Sequence, residues 1–256
     1  MKILAIGDMH GNLDALKSVG EDVGLWKPDL VVFCGDIIPG EDREEEWISA
    51  LEEGRHPDPD RLADNQARDR EILRDFVDVI SAFQGTVRII PGHVDAPYNL
   101  FLQEMLARRD RYPHVLPVHH NFINTGRDFV LVGFGGEITE DDRDDEVLVR
   151  FPQWELEYWL DSVQHLSQEP VLLTHVPPRA ERIDLIDGEH VGNAFLRQLI
   201  EDLKPIYAFC GHAHAAQGME EIGDTLVINP GALTHGHYAI LNTRKETVRF
   251  DTVEVD

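Results

Sequence analysis

The sequence predicts an α/β fold, and two observations carry that prediction. Short, continuous apolar runs recur along the chain, each ending in a cluster of Gly, His or Asp, and runs of this kind suit strands covered on both faces. Between them lie stretches whose apolar residues recur at three-to-four spacing, so strand and helix alternate as they do in α/β proteins.

The first run, K-I-L-A-I-G-D-M-H from Lys2, leads into Asn12, which can cap a helix carrying Leu13, Leu16, Val19 and Val23 on one face. The second is D-L-V-V-F-C-G-D from Asp29. An acidic stretch follows, E-D-R-E-E-E-W at 41–47 continuing through R-H-P-D-P-D-R, and reads as solvated loop or helix start in an acidic insertion near 40–63. Ile72, Phe76, Val79, Ile80 and Phe83 mark another helix before V-R-I-I-P-G-H from Val87. F-V-L-V-G-F-G-G from Phe129, V-L-L-T-H from Val171, I-Y-A-F-C-G-H-A-H from Ile206 and L-V-I-N-P-G from Leu226 continue the series. A second acidic stretch, E-D-D-R-D-D-E at 140–146, also reads as solvated. H-Y-A-I-L-N and then V-R-F-D-T-V-E-V from Val248 predict a terminal hairpin.

With 256 residues and 42% hydrophobic content, one domain over 1–256 is expected. No run of about 18 apolar residues occurs, and M-K-I-L-A-I-G-D turns acidic too early for a signal peptide, so a cytoplasmic protein without a membrane partner is expected. Cys34 and Cys210 each sit inside an apolar run and read as buried free thiols, with no zinc-type spacing. The net charge of −25 repels polyanions and argues against nucleic acid as a partner. Lysine is confined to Lys2, Lys17, Lys27, Lys204 and Lys245, and this scarcity beside the acid excess resembles the proteins of salt-accumulating, halophilic archaea.

The chemistry collects at the ends of the apolar runs. Asp8 and His10 lie two apart, so period-two geometry points both the same way, and His212 and His214 repeat the arrangement. Asp36, His175 and either His93 or Asp95 end three more runs. Carboxylates and imidazoles brought together there cost several kcal/mol unless cations coordinate them, and a two-metal site is the economical explanation. Asp36 can bridge two cations about 3.5–4 Å apart, and mixed imidazole and carboxylate ligation suits Mn, Fe or Zn, with Mn favoured. Such a pair lowers the pKa of bound water, and the hydroxide formed attacks phosphorus.

D-M-H-G-N at 8–12, G-D at 35–36, P-G-H-V-D at 91–95, T-H at 174–175 and G-H-A-H at 211–214 resemble the five ordered motifs of the calcineurin-like metallophosphoesterase superfamily. G-F-G-G at 133–136, H-V-P-P at 175–178, G-E-H-V-G-N at 188–193 and I-N-P-G-A at 228–232 resemble its small Icc-related phosphoesterase branch. The resemblance implies two mixed β-sheets packed as a sandwich flanked by helices. It also implies one metal held by Asp8, His10, Asp36 and His214, and a second by Asp36, His175, His212 and the residue at 93.

The third motif of that superfamily usually reads G-N-H-D or G-N-C-D. Here His93 replaces Asn and Val94 replaces His or Cys. His93 is expected as the fourth ligand of the second metal, since imidazole binds transition metals better than an amide. Val94 cannot donate a proton, which costs about 10²–10⁴-fold in rate for poor leaving groups. Activated or phenolic diesters should therefore turn over ahead of alkyl ones, unless His190, His235 or His237 supplies the proton. Asp36, Asp95 and His190 are the candidate catalytic residues, Asp95 fixing the loop by hydrogen bonding. The implied activity is metal-dependent hydrolysis of a small phosphodiester or nucleotide-type substrate. The alternative is a catalytically weak metal-binding scaffold of the same fold that acts as a protein-interaction module.

Overall fold

A computed structural model describes residues 1–125, 129–140, 143–144, 146–163, 165 and 167–255, except the side chains of residues 41, 161 and 162. In chain order the elements are β1 (Lys2–Ile6), α1 (Leu13–Trp26), β2 (Leu30–Phe33), α2 (Glu41–Glu52), α3 (Pro59–Ile80), β3 (Thr86–Ile89), α4 (Tyr98–Ala107) and β4 (Val115–Pro117). Next come β5 (Asn121–Asn124), β6 (Phe129–Phe134), β7 (Glu137–Thr139), β8 (Arg150–Pro152), α5 (Gln153–Val163), β9 (Glu169–Thr174), β10 (Leu185–Ile186) and β11 (Glu189–His190). The last are α6 (Ala194–Leu203), β12 (Tyr207–Phe209), β13 (Gly218–Ile222), β14 (Thr225–Asn229), β15 (His237–Asn242) and β16 (Thr247–Thr252).

Two six-stranded sheets organise the chain, in the orders β16-β15-β1-β2-β3-β4 and β13-β14-β12-β9-β6-β5. Both are mixed. In the first, β1 to β4 run parallel and the terminal hairpin β15–β16 adds antiparallel strands beside β1. In the second, β6, β9, β12 and β14 run parallel, with antiparallel edge strands β5 and β13. The expected sandwich of two mixed sheets flanked by helices is what the chain forms.

Period-two alternation explains why the strand runs are apolar throughout. Along β1, Ile3 and Ala5 face the second sheet and join Leu131, Leu173 and Phe209 in the core between the sheets. Leu4 and Ile6 face outward and pack with Leu16 and Val19 of α1, Phe76 and Ile80 of α3 and Phe101 of α4. The outer face of the second sheet buries Val132, Leu172 and Val227 against Leu156 and Leu160 of α5 and Leu196 and Ile200 of α6. Each central strand feeds two cores, so its buried stretch, as in residues 3–6 of β1 and all of β6, is apolar on both faces.

Local signals place the helices. Asn12 accepts a hydrogen bond from Ala15 N (3.0 Å) and starts α1, while Asp58 caps α3 by accepting from Asp60 N and Arg61 N with Pro59 in the first turn. The acidic stretch at 41–47 forms the start of α2, one of the two expected forms, but it is not wholly solvated, since it turns Arg43 and Glu46 inward, each 2% exposed. Glu46 is satisfied by Arg55, Arg61 and Asp58 N. In the second acidic stretch, residues 141, 142 and 145 lie outside the described residues.

Candidate metal centre

The loops that follow β1, β2, β3, β9 and β12 converge at one end of the sandwich. Their backbone is forced. Asp8, His10, Asp36 and His212 take positive φ values of 53°, 45°, 53° and 66°, a region that costs a non-glycine residue about 1–2 kcal/mol. Hydrogen bonds between the loops hold it there: Asp8 N donates to Gly35 O (3.0 Å), His10 N to Asp36 O (3.0 Å) and Gly11 N to Ile37 O (2.8 Å). The loops after β2 and β3 touch backbone to backbone. A Cβ on Gly35 would lie 2.4 Å from Gly92 N, and one on Gly92 would lie 2.0 Å from Asp36 Oδ1, so both positions require glycine.

Asp8, His10, Asp36 and His214 form one quartet, and Asp36, His93, His175 and His212 another. Each residue offers one ligand atom, and the atoms of a quartet all lie within 4.8 Å of one another, so either quartet could hold a metal ion. Asp36 belongs to both. Its Oδ2 stands 3.6 Å from His10 Nε2, 3.1 Å from His93 Nδ1 and 3.3 Å from His175 Nε2. That oxygen is buried and has no hydrogen-bond partner, and His212 Nδ1 is likewise buried without one. Nitrogens face nitrogens, with His10 Nε2 3.1 Å from His214 Nε2 and His93 Nδ1 3.0 Å from His175 Nε2. Imidazole lone pairs at that distance repel unless a proton or a cation lies between them. A buried carboxylate oxygen without a donor, ringed by imidazole nitrogens, fits a divalent transition metal.

Protonation in the ion-free cluster follows from burial and charge. Burial opposes the charged form of Asp36, but His175 and His93 outweigh it and hold the carboxyl well below its usual range. Burial likewise works against a charged His175, and the Asp36 carboxylate overrides it, raising the imidazole to about 9. Asp8, desolvated and near Asp36, is raised to about 7. His212 and His214 are lowered by burial to about 3 and about 4, and so are neutral and available as ligands at pH 7.

A surrounding ring of contacts aims these groups. His175 Nδ1 donates to Cys34 O (2.7 Å), which leaves Nε2 for the cluster, and His10 Nδ1 reaches Pro39 O (3.4 Å) to the same effect. His212 N donates to both oxygens of Asp8 (2.9 and 3.1 Å). Asp95, proposed from the sequence as catalytic, joins neither quartet. Its carboxylate accepts from Ile37 N (2.8 Å), Ile38 N (3.0 Å) and Gly92 N (2.7 Å), pinning the Asp36 loop to the His93 loop. His190 is also outside both quartets, on the short β10–β11 ribbon, with Nδ1 2.9 Å from Asp184 Oδ1. His235 instead stands beside the cluster, its ring 6.2 Å from that of His214 and 6.0 Å from that of His237.

Two positioning residues escape sequence reasoning. Asn229 Nδ2 donates to Ile183 O and Ala213 O, and its Oδ1 accepts from Gly231 N, which fixes the residue between His212 and His214. Arg43 of α2 donates to Asp69 Oδ2 (2.7 Å), Val147 O (3.1 Å) and Val94 O, so α2 grips the loop that carries His93. A carboxamide in a strand-end I-N-P-G and an arginine among acids carry no signal of such roles. Val94 itself is buried with Val147 and Leu148, and its amide donates to Asp36 Oδ1 (3.1 Å).

A family model described as metallophosphoesterase, calcineurin superfamily, matches residues 1–253. The chain belongs to that superfamily. A metallophosphoesterase is a phosphoric ester hydrolase, and the family implies divalent metal ions, for which the two quartets are the candidate seats. An uncharacterized protein of Methanocaldococcus jannaschii is 25% identical over 261 residues, covering 98% of this chain and 96% of its own. One crystal structure, 29% identical over 98% of both chains, superposes with a TM-score of 0.91. A crystal structure from Thermus thermophilus, 21% identical and covering 99% of both chains, gives 0.77 and shares the fold. A Danio rerio dimetal phosphatase, 14% identical over 94% of this chain and 91% of its own, gives 0.60. Among the described residues no helix of this metallophosphoesterase is long and apolar enough to cross a membrane.

Proposed function

We propose that the chain hydrolyses a small phosphodiester, of nucleotide type, with two divalent transition metals, manganese favoured, held by the two quartets. One observation carries this reading: Asp36 Oδ2, buried and without a hydrogen-bond donor, lies within 3.1–3.6 Å of imidazole nitrogens of His10, His93 and His175. When bound, the metals supply a water of lowered pKa and neutralise charge on the phosphoryl oxygens. The protein's share is orientation. Asp36 would be shared by both seats, with Asp8, His10 and His214 completing one and His93, His175 and His212 the other. Cys34 O and Pro39 O fix the ring tautomers of His175 and His10, and Asp95 holds the two loops in register.

With Val94 packed among apolar side chains, no proton donor stands at the third motif, and the leaving group must depart largely as an anion. Of the alternative donors, His235 has its ring 6.2 Å from that of His214. Two buried free thiols support a reducing, cytoplasmic setting, and the charge of −25 supports work at high salt. The test measures bound metal together with rates on bis(p-nitrophenyl) phosphate and an alkyl diester. Two metals per chain and aryl turnover at least about 100-fold faster are expected. Two tightly held metals with no turnover of either ester would instead favour the scaffold.

A further inference from the structure

A cavity of about 600 Å³ opens beside the loop that carries His93, between α2, α3, α4 and the residues Asp144, Glu146 and Val147. Val147 and Arg43 on its wall touch Val94 through the apolar cluster and the Arg43 to Val94 O hydrogen bond. Pro97, also on the wall, is four residues from His93, so at about 3.5 Å per residue the two stand at most about 14 Å apart. This volume suits a nucleoside-sized ligand.

Its lining chooses among ligands. Trp47 is 40% exposed and presents an indole to the cavity, and Gln66, Asn99 and Gln103 present carboxamides. Among the described residues none of these four side chains has a hydrogen-bond, ion-pair or ring partner. Both arginines on the wall are already engaged, Arg43 by Asp69 and Arg70 by Glu104 (3.4 Å), while Asp144 and Glu146 add carboxylates. A phosphate would meet no free cation here and two acids. A flat, neutral group with donors on its edge would stack on the indole, pair with the carboxamides and give its amino hydrogens to the carboxylates.

We propose that this cavity binds the base of a nucleotide diester, a base bearing an exocyclic amine, while the phosphate lies at the metal quartets. The assignment rests on the phosphodiesterase reading above and adds where the base is held and which kind of base fits. The base is held by Trp47, Gln66, Asn99 and Gln103, and the specificity is set by the insertion rather than by the metal ligands.

The test compares adenosine 5′-(p-nitrophenyl phosphate) with methyl p-nitrophenyl phosphate on the manganese-loaded protein. The two share a leaving group and differ in the nucleoside, so the ratio of their kcat/KM values reads the cavity alone. The ratio is expected to favour the nucleotide by about tenfold or more and to fall by a similar factor in Trp47→Ala, the loss typical of one base–aromatic stack. Gln103→Leu should lower it less, and Tyr158→Ala, on the exposed face of α5, should leave it unchanged. Titration of adenosine into the metal-free protein provides a readout without turnover: binding by wild type and its loss in Trp47→Ala are expected. A ratio within about twofold of wild type in Trp47→Ala, or absence of adenosine binding at millimolar concentration, overturns the assignment. Failure to hydrolyse either ester would overturn the phosphodiesterase reading instead, with the adenosine titration still deciding the cavity.

Discussion

The two quartets that share Asp36 are enclosed to different degrees. His175 is 0% and His93 19% exposed in one, whereas His214 is 34% exposed in the other, beside His10 at 12%. The enclosed quartet is further braced by Cys34 O behind His175 and, through Val94, by Arg43 behind His93. The open one relies on Asp8, itself fixed by His212 N, and on the Pro39 carbonyl behind His10. The lesson is that one seat is built into the sandwich and the other completes itself at the surface. An ion in the first should exchange slowly and one in the second quickly.

Removing the shared ligand should erase the difference. Asp36→Ala is expected to empty both seats and lower turnover by more than about 100-fold, beyond what loss of an outer partner costs; bound metal and rate are measured together. His175→Ala and His214→Ala should then separate the seats, since added metal should restore His214→Ala but not His175→Ala. Equal rescue of the two would break the comparison.

Arg43→Met acts on the enclosed side alone. It leaves Asp69, 1% exposed, as a buried unpaired carboxylate and should destabilise the fold by about 3–5 kcal/mol in denaturant titrations. Replacing Asp69 by Leu as well should recover much of that loss, while the weakened ion binding at the His93 side persists.

The metal-free protein should lose thermal stability as pH rises from 6.5 to about 9. His175 is raised from 6.5 to about 9, so the folded state holds a proton that the unfolded chain has released; that stabilisation is complete below 6.5 and disappears through about 9. Asp8, raised to about 7, acts in the same direction at lower pH, and the lowered His212 and His214 oppose it only below 6.5. Bound metal replaces the proton, so the Tm of the loaded protein should not fall across this window. The smallest effect expected is general to both sides: with a charge of −25, KCl near 1 M should raise Tm by screening self-repulsion to about 3 Å.

The central strands were legible because a stretch buried on both faces reads as a continuous apolar run, as residues 3–6 of β1, all of β6 and residues 171–173 of β9 do. The edge strands of the second sheet were not. Gly218–Ile222 carries Glu220 and Glu221 on a solvated edge, and Asn121–Asn124 is mostly exposed, so neither bears a pattern. The converging side chains could be read because strand ends place them, whereas the grip of Arg43 on Val94 depends on where a distant helix lands. Burial also limits the obvious repair at the third motif: Val94 packs on Val147 and Leu148, and a Cβ on Gly40 would lie 2.4 Å from its own, so histidine there would overfill the site rather than restore a donor.

The converging loops come from both sheets, with Asp8, His10, Asp36 and His93 following strands of the first and His175, His212 and His214 following strands of the second. Ions seated among them would act as rivets through the mouth of the sandwich, joining halves of the polypeptide far apart in sequence. Opening the sheets then requires releasing the ions, so the lifetime of the folded molecule should lengthen with free metal and shorten under a chelator.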